Sequence, residues 1–183
     1  MSAELTNIEF KAIRRPGVPQ DMEFLGPCVS TIDQRDTFYG CPSGLCKLRC
    51  EHYVEQDRDE MKLIWYNRAQ VAGPKKSDII IVNVSTVPEL HALLATMLGV
   101  KNHVEKRREL YLIGRTRIHL DTLSDGRQFI EVEVVMRRRE DPRSASKEAE
   151  EIKARLGIKD TDLIVGSYAD MFTFTSTTTT TTH

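Results

Sequence analysis

Alternation with period two runs through most of this chain. FIEVEVV at 129–135 is a clear case. As a strand it sends Glu131 and Glu133 to one face and Ile130, Val132 and Val134 to the other. Similar patterns predict strands over residues 5–13, 31–39, 45–53, 61–68, 78–84, 103–113, 115–121 and 128–136. Turn residues separate them: Pro42-Ser43-Gly44, Gly73-Pro74, Gly114 and Asp125-Gly126. Two stretches read as helices instead. Residues 87–98 have Pro88 near the start and Gly99 just past the end, and residues 144–156 start on Ser144 and stop at Gly157. Residues 160–165 suggest one further helical turn. The segment RRPGVPQDMEFLGPCVS carries Pro16, Pro19 and Pro27, which exclude one continuous helix.

Parity sorts the strands into two faces. Asn7, Glu9 and Lys11 oppose Ile8, Phe10 and Ala12. Lys47, Arg49 and Glu51 oppose Cys46, Leu48 and Cys50. Lys62 shares a face with Arg68, and Lys106 with Arg108. Arg115, Arg117, His119 and Asp121 oppose Thr116, Ile118 and Leu120. An antiparallel sheet commonly leaves such a polar face in solvent. Two features turn it inward here. The amphipathic helices need an apolar surface, which only the other strand face supplies. The charges are also sorted by strand, with carboxylates on the first and last strands and most cations between. The expected fold is α+β and β-dominated: a closed eight-stranded antiparallel β-barrel with helices packed outside and charge within. Two cations about 5 Å apart repel by roughly 3 kcal/mol at an effective dielectric of 20. That face therefore predicts a polyphosphate ligand, with carboxylates holding a bridging divalent cation.

Composition narrows the function. A chain of 183 residues with net charge −1 predicts one domain, taken as 1–172, and argues against bulk nucleic-acid binding. The Thr-rich segment 173–183 is expected to be disordered. No signal-peptide pattern and no apolar run of 18 residues is present, so a cytoplasmic, non-membrane protein is expected. Cys28, Cys41, Cys46 and Cys50 form no CxxC pair, and zinc is not expected. His119 shares the charged parity and reads as structural, base or ligand. His91 reads as surface or packing, Trp65 as core under a helix, and Arg137-Arg138-Arg139 as a solvated run. Lys75-Lys76 reads as a loop over a tunnel mouth.

Five motifs occur in order: Asn7-Ile8-Glu9-Phe10-Lys11, Gly44-Leu45-Cys46-Lys47-Leu48-Arg49, Val104-Glu105-Lys106-Arg107-Arg108, Thr116-Arg117-Ile118-His119-Leu120-Asp121 and Phe129-Ile130-Glu131-Val132-Glu133. Together they resemble the CYTH superfamily of triphosphate tunnel metalloenzymes over roughly residues 5–171, and within it the class IV adenylyl cyclase-like branch. The resemblance implies that Glu9, Glu131 and Glu133 bind Mg²⁺ or Mn²⁺. It implies that Lys11, Lys47, Arg49, Lys62, Lys106, Arg108 and Arg117 hold the triphosphate, with Arg68 and Arg115 as further members. Asp121 is implied as the lumen acid, acting with Lys11 and Arg117. The family pattern Glu-x-Glu-x-Lys begins here with Asn7, which keeps an oxygen donor and loses a charge. Three activities stay open: cyclisation of ATP to cyclic AMP and pyrophosphate; hydrolysis of tripolyphosphate, thiamine triphosphate or a nucleotide; and non-catalytic polyphosphate binding. A monomer or homodimer is expected.

Overall fold

The computed structural model describes residues 2–15, 22–85 and 88–171. Eight strands form: β1 (Ser2–Ile13), β2 (Ser30–Tyr39), β3 (Leu45–Tyr53), β4 (Arg58–Arg68), β5 (Lys75–Val84), β6 (Val100–Ile113), β7 (Thr116–Leu123) and β8 (Gln128–Val135). They close in the order β1-β5-β4-β3-β2-β6-β7-β8, with every neighbouring pair antiparallel. Among the described residues four α-helices accompany them: α1 (Met22–Leu25), α2 (Pro88–Leu98), α3 (Pro142–Arg155) and α4 (Tyr168–Met171).

The apolar strand face points outward, as the parity requires. Ile8, Phe10 and Ala12 of β1, Ile118 and Leu120 of β7, and Ile130, Val132 and Val134 of β8 pack under α3. The helix meets them with Ala145, Ala149, Ile152 and Leu156. Both alanines are fully buried, so the helix lies close on the sheet. Burying each large side chain in this layer contributes about 1.5–3 kcal/mol. Asp141 caps α3 by accepting from the Arg143 amide, three residues before the expected start at Ser144, with Pro142 in the first turn. Gly157 and Gly99 stand at positive φ (66° and 68°) just past the two long helices, the stops expected from sequence.

α2 departs from the expectation of packed outer helices. Leu93 and Met97 on it stay exposed, and it meets the barrel through the His91–Tyr39 hydrogen bond of 2.8 Å. Trp65 is half-buried on the outer wall, its indole N–H donating to the Ser43 carbonyl rather than packing under a helix. The proline-rich segment forms only the short α1 among the described residues, and 16–21 lie outside them. The Thr-rich tail also lies outside them.

The interior is divided along the barrel axis. Phe38, Leu45, Tyr66, Val104, Leu123 and Phe129 gather at one end with Tyr168, Ala169 and Met171 of α4. This apolar plug closes that end. Charged side chains occupy the rest of the lumen. No described helix is long and apolar enough to cross a membrane.

Candidate functional site

Inward parity brings eight cations to one cavity of about 220 Å³: Lys11, Lys47, Arg49, Lys62, Arg68, Lys106, Arg108 and Arg117. Five carboxylates line it with them: Glu9, Asp36, Glu51, Glu131 and Glu133. The strand register sets their order. Glu131 faces Lys11 on β1 and His119 on β7, and Glu133 faces Glu9 and Arg117.

Exposure grades with depth. The side chains of Lys62 and Arg117 are 20% and 31% exposed, whereas those of Lys106 and Asp121 are 2% and 0% exposed. The mouth therefore lies at Lys62, Arg117 and Glu133, and the floor at Lys106 and Asp121 against the plug.

Linked ion pairs fill the lumen. Near the plug, Asp121 accepts from Lys106 at 2.9 Å and from Arg108 Nε and Nη2, each at 2.6 Å, and Tyr168 Oη donates to it at 2.7 Å. On one flank Asp36 accepts from Lys47 at 2.9 Å and Arg49 at 2.6 Å. On the other, Glu131 meets Lys11 at 3.0 Å and Arg108 at 2.6 Å. Arg68 donates to Glu9, and Lys62 to Glu51. The expected sorting of charge by strand thus holds only in part. Asp36 on β2, Glu51 on β3 and Asp121 on β7 interleave carboxylates among the cations, and this interleaving makes so basic an interior tolerable.

Burial and neighbours set the protonation states. Burial pushes the Lys106 ammonium down to about 7, with Arg108 adding to the effect against Asp121. Lys47 falls to about 8 through burial and Arg49, opposed by Asp36. Burial alone would raise Glu131, but Lys11 and Arg108 hold it well below the usual carboxylate range. Glu9 moves the other way: burial raises it, Arg68 opposes, and Glu131 and Glu133 push it further up. Burial and Arg108 lower His119, against the opposing pull of Glu133 and Glu131.

Of the thirteen residues expected at the site, eleven line this cavity. Arg115 does not. Gly114 and Arg115 form a two-residue hairpin turn between Ile113 and Thr116, so β7 starts one residue later than expected. Arg115 instead donates to Glu140 and Glu148 outside the barrel, and the first of these carboxylates is held at about 2 chiefly by that contact. Replacing Arg115 with Ala should lower stability by about 0.5–1 kcal/mol. Triphosphate affinity, read by calorimetry, should stay within about two-fold, since the sites share no partner.

Asp121 sits behind the cavity wall with its acceptors engaged by Lys106, Arg108 and Tyr168. Lys75 is not in a mouth loop. It opens β5 next to Glu9, buried, with its ammonium on the Val71 carbonyl. All four cysteines are free thiols.

Two residues were missed from sequence. Asp36 lies in a strand whose inward set Ile32, Gln34, Asp36, Phe38 mixes apolar and polar types, and its pairing with Arg49 appears only with the strand register. Tyr168 lies under Lys11 at 3.6 Å and Lys106 at 4.7 Å from its ring centre, and no periodicity marks it.

The residues fit a divalent cation beside a polyanion. Glu131 and Glu133 are adjacent on one face of β8, and Glu9 stands opposite Glu133, though Arg68 occupies its carboxylate. A CYTH domain profile matches residues 5–168. No curated protein matches the chain in sequence. Among solved structures, the PH1819 protein of Pyrococcus horikoshii OT3 superposes with a TM-score of 0.72 at 18% identity, covering 90% of this chain and 97% of that one. The PH1012 protein of the same organism gives 0.71 at 20% identity, covering 91% and 99%. A protein from Vibrio parahaemolyticus provisionally named an adenylate cyclase gives 0.60 at 16% identity, covering 93% and 96%. With a profile match across nearly its whole length and a closed eight-stranded barrel with a charged lumen, the chain belongs to the CYTH domain family.

Proposed function

We propose that this protein is a Mg²⁺- or Mn²⁺-dependent enzyme that cyclises ATP to cyclic AMP and pyrophosphate. The depth gradient of the lumen carries this reading. A cavity of about 220 Å³ is smaller than the roughly 300–1,000 Å³ that encloses a drug-sized ligand. It suits a phosphate chain whose organic group stays at the mouth. Leu5, Ile32, Ile81, Leu110 and Tyr53 line the cavity as well, an apolar border that inorganic tripolyphosphate would not use.

In this pose the terminal phosphates sit deep, against Lys106, Arg108, Lys47 and Arg49. The α-phosphorus, bonded to the organic group, then lies toward Glu133 and Arg117. Glu131 and Glu133 would hold a divalent cation, which would neutralise charge on the phosphate oxygens. Attack of the ribose 3′-oxygen forms the new P–O bond, the bond to the β-phosphate breaks, and the hydroxyl proton passes to solvent or a nearby carboxylate. Pyrophosphate leaves with its charge held by the deep cations, so positioning and electrostatics supply the rate. The likeness to the Vibrio parahaemolyticus protein is in keeping with this reaction.

Phosphorus NMR of the purified protein with ATP and either metal tests the reading. Cyclic AMP and pyrophosphate are expected. Orthophosphate release would replace cyclisation with triphosphate hydrolysis. Shifted and broadened resonances without product would leave a binding module.

Proton uptake on binding is a second expectation. A polyphosphate beside Lys47 and Lys106 favours their charged forms and raises both from about 8 and about 7. The complex then holds more protons than the free protein, so affinity is full below about 7 and falls as pH rises through 8. Calorimetry at pH 8 in two buffers of different ionisation enthalpy should register the uptake.

A further inference from the structure

From the juxtaposition of His119 Nδ1 with the Glu131 and Glu133 carboxylates, we infer that the metal centre has a nitrogen ligand and selects a transition ion such as Mn²⁺ over Mg²⁺. This rests on the metal-dependent reading above. His119 and the two glutamates each place one donor atom within 4.8 Å of the others. Nδ1 stands 3.7 Å from Glu131 and 3.8 Å from Glu133, too far for a hydrogen bond to either.

Among the described residues Nδ1 is one of the few buried side-chain atoms without a hydrogen-bond partner, and His119 is only 5% exposed. A buried, unpartnered imidazole nitrogen aimed at two carboxylates costs stability unless something fills the gap. A hydrogen bond to one carboxylate would need a closer approach. A cation between the three would draw on all of them, because ligands on one ion at about 2.0–2.2 Å lie roughly 3–4 Å apart.

The first strand makes this third ligand necessary. Asn7 stands where the family pattern has a glutamate and is fully buried with no partner for its amide. Glu9 is committed to Arg68. Glu131 and Glu133 of β8 also pair with cations, Lys11 and Arg108 on the first and Arg117 on the second, but they and the imidazole of β7 are the donors that lie within reach of one ion. A mixed nitrogen–oxygen set suits Mn²⁺, Co²⁺ or Zn²⁺, whereas Mg²⁺ takes oxygen ligands and keeps several waters.

Electron spin-echo spectroscopy of Mn²⁺ bound to the full chain tests this, with Mn²⁺ alone as the probe. Wild-type protein should show nitrogen modulation that changes when histidine carries ¹⁵N, which needs no variant. In His119→Ala the modulation should vanish and Mn²⁺ affinity should fall by at least roughly ten-fold. Mg²⁺ affinity should change by less than about two-fold. His119→Gln, which retains volume, repeats the comparison where the alanine variant folds poorly. Tight Mn²⁺ binding without nitrogen modulation, or modulation that survives in His119→Ala, overturns the histidine ligand and leaves the metal-dependent reading standing. Absence of Mn²⁺ binding in wild-type protein, alone and with tripolyphosphate, overturns both.

Discussion

Replacing Glu131 with Gln should lower metal-dependent turnover of ATP by about 10³-fold while tightening metal-free binding of tripolyphosphate. The two effects have opposite signs because one carboxylate serves two electrostatic purposes. Glu131 adds negative charge next to Glu133, which a divalent cation needs. The same charge repels a phosphate chain in the absence of metal. Gln retains the shape and an oxygen but removes the charge. Loss of one preorganised electrostatic group costs about 10²–10³ in turnover, and weakened metal binding adds to that. A repulsion of the order of 3 kcal/mol at about 5 Å is relieved at the same time, enough for a tenfold gain in metal-free affinity. Arg108 keeps Asp121 as a partner, and Lys11 keeps its place over the Tyr168 ring, so the fold should survive. Phosphorus NMR measures the turnover, calorimetry the anion, and circular dichroism the fold. Turnover at the wild-type rate would remove Glu131 from the site.

Much of this site was legible because strand parity is a strict period of two. Once residues 129–135 were read as a strand, Glu131 and Glu133 had to share a face with one another and not with Val132. The same logic placed Lys11, Lys47, Arg49, Lys106, Arg108 and Arg117. It failed at Arg115 because parity holds only inside a strand, and Gly114-Arg115 is the turn itself. Parity also says nothing about register between strands. Which residue lies deep and which at the mouth depends on how β6 slides against β7 and β2, so the gradient from Lys62 to Lys106 emerged only with the fold. Tyr168 belongs to a four-residue helix too short for periodicity, and its place under two lysines follows from the chain crossing the end of the barrel.

The ion cluster behind the cavity floor should also carry a large contribution to stability. Asp121→Asn should destabilise the protein by about 3–5 kcal/mol at pH 5.5, the range for removing one partner of a buried ion pair. Lys106 and Arg108 would be left with an amide that cannot compensate them, and the Tyr168 hydroxyl with a weaker acceptor. The loss should shrink at pH 8. Lys106 in the wild-type fold already stands at about 7, below its ordinary value of 10.5. Without Asp121 its folded value drops further while its unfolded value does not change. Between the two folded values the variant has shed the lysine proton and its penalty, and the wild type has not, so stability of the variant relative to wild type rises with pH there. Urea denaturation at both pH values measures the difference. Equal losses at pH 5.5 and pH 8 would mean that Asp121 acts chiefly through Arg108, which stays charged at both. A polyphosphate should recover part of the loss in either case. It brings negative charge to the cations that Asp121 leaves unbalanced, and a ligand that binds only the folded state adds to stability in proportion to the logarithm of its concentration over Kd.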